Sequence, residues 1–199
     1  MRARVKRLTV GVESGAQRIL DLIKKDVTVE EVIEANRRLA RFPIVPLYLF
    51  MMGMPTEMPD ELGASIRLAD RLVSDNPNAV KTFNIYTPYP GTELYELARS
   101  AGLVEPETLE GWASFNFRNV HAASPWMPRE TRKLVETLDL PLMFLGDNFV
   151  KPHRKTNPIV VGLARAYAPV ARYRVRHLDG RFPIESRLVK ALGLFGRQD

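Results

Sequence analysis

A β-branched run that ends in polar residues and passes directly into a helical pattern constrains the fold of this chain most. The run is Leu8–Gly15 (LTVGVESG), and the helical pattern begins at Ala16. A strand, a polar tip, a tight turn and a helix in succession form the repeating unit of parallel α/β sheets. Such sheets place their chemistry at the carboxyl ends of the strands, so Glu13 and Ser14 are candidate site residues.

Two interpretations of Glu13 and Ser14 are open from this segment alone. A carboxylate fixed at the tip of a buried strand can accept two hydrogen bonds from the vicinal hydroxyls of a ribose. Alternatively, both side chains merely cap the following helix through its free N–H groups and its dipole.

Two further strands with following helices are predicted downstream. The nearly continuous apolar run Val45–Met52 is typical of a strand buried on both faces, and Val80–Thr87 is predicted as the third strand. The intervening helices begin at a capping box, Thr28–Glu31, at Pro59, and at the N-cap Thr92. This order predicts an α/β fold: about three βα units of a partial parallel (β/α) barrel.

Residues 103–199 form a second region after the strand-bearing region, residues 1–102. Residues 103–128 are aromatic and predicted to be irregular. Helices are predicted over 129–150, interrupted at Pro141, and over 158–177 and 184–195. The excess of basic residues lies in 151–199, so the pI of about 9.7 is a property of this extension. Its arginines are interpreted as a solvated face or as a contact with an anionic membrane surface, because no nucleic-acid-binding motif is present.

The composition excludes several kinds of site. The chain has no cysteine, which excludes disulfides, thiolate metal sites and a cysteine nucleophile. Its three histidines lie far apart without ligand spacing, so no metal site is predicted. No run of about 18 apolar residues is present, and the basic N-terminus lacks the apolar part of a signal peptide. We therefore expect a cytoplasmic protein.

Three strand ends, in this order, resemble one enzyme family. The segment Gly11–Lys25 resembles the fourth strand and helix of radical S-adenosylmethionine (radical SAM) enzymes, Phe50–Pro55 their fifth strand, and Phe83–Tyr95 their sixth. The most similar subgroup usually carries a cobalamin-binding domain ahead of the barrel. The resemblance implies the second half of a radical SAM barrel followed by a C-terminal extension.

The resemblance implies a place for S-adenosylmethionine at these strand ends. Glu13 and Ser14 would lie by the ribose, and residues of the other two strands would line the adenine: Met52, Gly53, Met54, Ile85, Tyr86 and Pro88. An adenine needs an apolar slot and backbone hydrogen bonds at its edge, which both segments can offer. The alternative for the methionines is adaptable core packing. Tyr86 and Tyr89 are equally compatible with rim aromatics that touch no ligand.

Two departures from the family pattern limit this interpretation. Thr56 stands where members commonly have glycine, which leaves the conformation of that turn open. The CxxxCxxC loop, whose thiolates hold the family's [4Fe–4S] cluster, is absent together with the first three strands. We therefore expect a truncated reading frame, a split gene or an excised piece, with no catalytic or metal-binding residue of its own.

Cofactors and partners follow from the same resemblance. This chain would supply part of the S-adenosylmethionine site, whereas the cluster, and cobalamin if the enzyme uses it, would be bound only in the full-length protein. The expected partners are the missing N-terminal half of the barrel or an oligomeric partner, and an unidentified small-molecule substrate.

Two other functions are open at this point. The half-barrel is alternatively a non-catalytic scaffold that uses its basic extension on a partner. A third interpretation is an unrelated barrel hydrolase with Glu13 as general acid or base. That reaction needs a second carboxylate at a strand end, which neither remaining strand clearly offers.

We expect the purified chain, reconstituted anaerobically with iron and sulfide, to bind no stable iron–sulfur cluster, because it has no thiolate. Visible absorption and iron analysis measure the outcome. A stoichiometric charge-transfer band with matching iron content would contradict the prediction.

Overall fold

Three parallel strands form a single sheet in the order β1, β2, β3. They are β1 (Arg7–Glu13), β2 (Val45–Met52) and β3 (Val80–Ile85). The computed structural model describes residues 4–115, 124–145 and 158–181. These residues belong to two compact units, Met1–Arg132 and Lys133–Asp199, and the sheet lies in the first.

Helices connect the strands and continue after the last one. They are α1 (Gln17–Leu22), α2 (Val29–Leu39), α3 (Pro59–Asp75), α4 (Glu93–Ser100), α5 (Leu109–Ser114), α6 (Arg129–Phe144) and α7 (Pro158–His177). The Thr28 capping box, the first-turn position of Pro59 and the Thr92 cap are confirmed. The predicted α/β class, with a parallel sheet that is consistent with a partial barrel and a helical C-terminal region, is confirmed.

The main apolar core lies on the face of the sheet that α2 and α3 cover. Its buried members are Val12, Val32, Ile33, Tyr48, Phe50, Leu68, Ala69, Leu72 and Ala79. On β2 the buried residues alternate with half-buried ones, among them Leu47, Leu49 and Met51. The prediction that this strand is buried on both faces therefore holds on one face only. The second apolar face of β2 is covered in part.

A buried polar network ties the central strand to two helices. Asn36 of α2 donates from Nδ2 to the carbonyl of Leu72 in α3 at 2.8 Å. Its Oδ1 accepts from the Tyr48 hydroxyl at 2.8 Å and from Asn76 Nδ2 at 3.2 Å. Burial raises the pKa of Tyr48 to about 12, so the hydroxyl stays protonated and remains a donor.

Several element boundaries differ from the sequence-based predictions. The third strand ends at Ile85 instead of Thr87, and α5 lies within a region predicted to be irregular. Pro141 lies inside α6 without ending it, since a proline removes only one backbone donor and packing can retain the helix. The helix predicted over 184–195 falls outside the described residues. No helix in the described ranges is long and apolar enough to cross a membrane.

Both outer strands of the sheet have an edge that no other strand among the described residues covers. The Lys6 carbonyl accepts from Val45 N–H at 2.9 Å. Because backbone groups of a parallel strand alternate in direction, Thr9 and Gly11 point their N–H and C=O groups away from β2. Exposed strand edges of this kind are templates for pairing with another chain.

We expect the isolated chain to be oligomeric, aggregated or partly molten, because an open strand edge lies beside the half-buried apolar face of β2. Size-exclusion chromatography with light scattering, together with near-ultraviolet circular dichroism, measures this. A sharp monomer near 22.6 kDa with cooperative unfolding would contradict the expectation and favour the scaffold interpretation.

Candidate functional site

Glu13 ends β1 in a strained backbone conformation. Its φ is +69°, and the pairing with β2 shifts register between Gly11 and Glu13. Its carboxylate folds back over Gly11, where an added Cβ would lie 2.3 Å from Glu13 Oε1. Lys25 Nζ lies 3.3 Å from the same oxygen. Left-handed non-glycine residues and strand bulges concentrate at functional sites, so the backbone marks Glu13 independently of its side chain.

Ser14 is fully buried and its hydroxyl is used inside the protein. The hydroxyl accepts from Ala16 N–H at 3.1 Å and lies 3.1 Å from Ser65 Oγ. Ser65 accepts from Gly15 N–H and donates to the Glu61 carbonyl, which leaves Ser14 as the donor between the two hydroxyls. The Ser14 hydroxyl therefore holds the turn before α1, but it bonds to the N-cap residue Ala16, and α1 has no side-chain cap hydrogen bond. The capping interpretation is thus wrong for Ser14, and also for Glu13, whose carboxylate contacts Lys25 instead.

Arg18 joins the first strand end to the turn after β2. Its guanidinium makes a bidentate contact with Glu61, with both N–O distances at 2.6 Å. It also donates to the Thr56 carbonyl at 2.9 Å and to the Thr56 hydroxyl at 3.2 Å. The hydrogen bond from Arg18 lowers the pKa of the Glu61 carboxyl. Two neighbouring strand ends are thus held together by one side chain.

Thr56 has a left-handed backbone in the turn after β2. Its φ is +63°, which is a rare value for a β-branched residue. The turn whose conformation the sequence left open therefore has a backbone that glycine would adopt without strain. The two hydrogen bonds from Arg18 act on this strained residue.

Glu57 is a buried carboxylate under the same turn, and the sequence analysis did not select it. Its Oε2 accepts from Gly53 N–H at 2.6 Å and from Met54 N–H at 3.3 Å. Its Oε1 has no hydrogen-bond partner among the described residues. Burial raises the pKa of Glu57 to about 7, although the two amide donors act in the opposite direction. The sequence signal that could have identified Glu57 is an acidic residue shortly after Gly53, the glycine that ends the strand.

The expected adenine residues gather at the ends of β2 and β3, but most of them are buried. The Tyr86 N–H donates to the Met52 carbonyl at 2.9 Å, and burial raises the pKa of Tyr86 to about 12. Met52, Gly53, Met54, Tyr86 and Pro88 are buried, and Ile85 is half-buried. The packing interpretation of the Met52 and Met54 side chains is therefore supported. Tyr89, which is 61% exposed, occupies the surface position expected of a rim residue.

Residues 124–131 cover the turn after β2. The Trp126 indole N–H donates to the Gly53 carbonyl at 3.0 Å, and the Thr131 hydroxyl donates to the Glu57 carbonyl at 2.5 Å. The Met127 methyl would lie 2.3 Å from a Cβ placed on Gly53, whose φ is +78°. Only glycine meets both conditions at position 53. From the sequence, Trp126 and Met127 were expected only as part of an aromatic, irregular loop over one end of the barrel, and Thr131 as part of a helix.

The three strand ends lie side by side, as the sequence predicts. Glu13 pairs in register with Phe50, and Met52 pairs with Ile85. The site thus combines the half-buried carboxylate of Glu13 with the largely buried turns that follow β2 and β3. Among the described residues, no group of three His, Asp or Glu side chains could hold a metal ion.

Three curated proteins resemble about half of this chain. An uncharacterised methyltransferase of Pyrococcus horikoshii is 37% identical over 94 residues, which are 47% of this chain and 20% of that protein. An uncharacterised protein of Methanocaldococcus jannaschii is 30% identical over 91 residues, 45% of this chain and 20% of its own length. The anaerobic magnesium-protoporphyrin IX monomethyl ester cyclase of Cereibacter sphaeroides is 32% identical over 98 residues, 49% of this chain and 15% of the cyclase.

The matched region is a small part of each relative. It spans a fifth or less of their lengths. No known family profile matches the chain. The chain is therefore similar, over fewer than 100 residues, to proteins whose names give different activities: a methyltransferase and a cyclase.

The buried carboxyl of Glu57 makes stability depend on pH. Its pKa is near 4.5 when unfolded and about 7 when folded, so the folded state holds the proton more tightly. The free energy of unfolding should fall by about 3 kcal/mol as pH rises from 4.5 to 7. We expect Glu57→Gln to remove most of this fall.

Urea unfolding of wild type and Glu57→Gln at pH 5 and pH 8 tests the expectation. The exposed Glu30→Gln serves as the control that changes charge without changing a buried group. Equal pH dependence in wild type and Glu57→Gln would show that Glu57 does not cause it.

Proposed function

We propose that this chain is a portion of a radical SAM enzyme and that its three strand ends contribute ribose and adenine contacts for S-adenosylmethionine. The observation that carries the proposal is the left-handed backbone of Glu13 at the tip of β1. A strained acidic residue at a parallel strand end, with the chain bulged to direct it, is a functional arrangement rather than a packing one. The three family-like segments at adjacent strand ends support the same conclusion.

The Glu13 carboxylate has the acceptor capacity that ribose binding requires. Its side chain is 22% exposed and contacts Lys25 through Oε1. A carboxylate has about four lone-pair positions, so a single contact leaves room for two vicinal hydroxyls. Gly11 contributes by its lack of a side chain, because the carboxylate occupies the place of a Cβ. Ser14 would support ribose binding indirectly, because its hydroxyl holds the turn behind Glu13.

The adenine would meet backbone and apolar surface at the neighbouring strand ends. Met52, Met54, Tyr86 and Pro88 would form the apolar support beneath the base, and Gly53 the closest backbone approach. Ile85 is only half-buried and would contact the base directly. Adenine recognition by this chain would therefore depend on how the turn after β2 is held.

The chemistry of the complete enzyme would need groups that this chain does not provide. The chain has no cysteine for a [4Fe–4S] cluster, which would reductively cleave S-adenosylmethionine in the full protein. The cluster would be held by the other half of the barrel, whose docking edge would be the open side of β1, and any cobalamin by a separate domain ahead of the barrel. The substrate would bind mainly to parts outside this chain. The basic extension, 151–199, would contact the same partner or an anionic membrane surface.

A second candidate function, the non-catalytic scaffold, is favoured by one observation. Trp126 and Met127 already pack on the Gly53 turn, which leaves the predicted adenine contacts buried beneath the chain's own residues. A scaffold needs no accessible ligand surface at the strand ends. Ligand affinity distinguishes the two functions.

We expect Glu13→Gln to weaken S-adenosylmethionine binding by about 1–3 kcal/mol, the scale of losing a charge-assisted hydrogen bond. The measurement is titration calorimetry on a complex of this chain with a co-expressed half-barrel that carries the cluster loop. Folding should be nearly unchanged, because the carboxylate is partly exposed and the amide keeps its volume.

Glu34→Gln is the matched control, since it removes a carboxylate that contacts Arg38 at 3.1 Å within α2 and not at a strand end. It should leave the affinity unchanged. Unaltered binding in Glu13→Gln would overturn the ribose role. A wild-type complex that binds no S-adenosylmethionine would favour the scaffold.

A further inference from the structure

The turn from Gly53 to Glu57 is buried except at Thr56, which is exposed. Contacts within the turn satisfy only some of its buried hydrogen-bonding groups. Internally, Glu57 accepts from the amides of Gly53 and Met54, and its own N–H donates to the Met54 carbonyl at 3.1 Å. The carbonyls of Gly53 and Glu57, the first and last residues of the turn, are not used by these contacts. Buried carbonyls almost always have a partner, because leaving one unpaired costs free energy.

Both carbonyls receive their hydrogen bonds from outside the strands. Trp126 supplies the donor for Gly53 at 3.0 Å, and Thr131 supplies the donor for Glu57 at 2.5 Å. Both donor side chains are buried, at 3% and 0% exposure. Met127 lies between them in sequence and fills the space above Gly53. The two donors thus bracket the turn at its two ends.

We propose that Trp126 and Thr131 are positioning residues of the strand-end site: they fix the backbone of the Gly53–Glu57 turn that would present adenine contacts. The ligand part of this inference rests on the function proposed above. The turn contains two left-handed residues, Gly53 and Thr56, so its conformation needs external restraint. Trp126 also contacts Tyr86 edge to face at 6.4 Å, which extends the restraint to the end of β3.

The same contacts explain why position 126 is a tryptophan and not merely an apolar residue. A phenylalanine at position 126 would fill similar space but would leave the Gly53 carbonyl without its donor. A valine at position 131 would match threonine in volume and leave the Glu57 carbonyl unpaired. Side-chain volume and hydrogen bonding can therefore be separated by conservative substitutions.

The experiment compares amide hydrogen exchange, followed by mass spectrometry, in the complex with the co-expressed half-barrel, for the wild-type chain and for Trp126→Phe and Thr131→Val. Peptides covering residues 53–57 should exchange at least tenfold faster in both variants, and Thr131→Ser should restore slow exchange. Trp112→Phe and Thr137→Val are matched controls. Thr137 is also buried in α6, and its hydroxyl donates within the helix to the Lys133 carbonyl at 2.8 Å.

A second measurement determines the affinity for S-adenosylmethionine by titration calorimetry on the complex with the cluster-carrying half-barrel. Thr131→Val should weaken binding at least fivefold and Thr131→Ser should not, whereas Thr137→Val should leave it unchanged. The inference is overturned if residues 53–57 exchange at the wild-type rate in both Trp126→Phe and Thr131→Val. It is also overturned if exchange is faster but the affinity for S-adenosylmethionine is unchanged. If exchange is faster in the variants and the wild-type complex binds no S-adenosylmethionine, the proposed function is overturned and the restraint of the turn is established.

Discussion

The close approach of the first strand end to α3 is the contact on which the arrangement of the strand ends depends. A Cβ on Gly15 would lie 2.5 Å from the Ala64 carbonyl oxygen, so only glycine allows the two backbones to meet there. Ser65 then accepts from the Gly15 N–H at 2.9 Å and contacts the Ser14 hydroxyl. Because α3 follows β2 directly, this contact fixes the tip of β1 relative to the turn after β2.

Glu13, Gly53 and Thr56 have left-handed backbones at the tips of β1 and β2, and each of the three has a specific restraint. Glu13 is held by its contact with Lys25, and Thr56 by the two hydrogen bonds from Arg18. Gly53 is held by Glu57 on one side and by Trp126 on the other. Unfavourable backbone conformations persist only where the surroundings over-determine them. The tips of β1 and β2 are therefore built as a preorganised edge, while the rest of the sheet is regular.

The strands and their order were predictable because each strand carries its own β-branched or apolar run, and because α2 and α4 begin at the capping residues Thr28 and Thr92. The side-by-side placement of the site segments follows from parallel topology alone. What local pattern does not encode is contact between distant residues. Thr131 reaches Glu57 across 74 positions of sequence, and Tyr48 of β2 meets Asn36 of α2 inside the core. Burial of Met52 and Met54 was foreseen as one of two alternatives, which composition does not distinguish.

The division of the site between a half-buried acid and a buried turn has a consequence for recognition. The Glu13 carboxylate can meet a ligand from solvent, whereas Gly53 lies beneath Met127 and Met54 is buried. Apolar burial around the turn excludes water, and this strengthens each hydrogen bond that the backbone makes there. It also requires that the covering residues form one wall of any adenine slot, since removing them would expose Gly53 and leave its carbonyl unpaired. Specificity for a base would then depend on residues beyond the last strand as much as on the strands themselves.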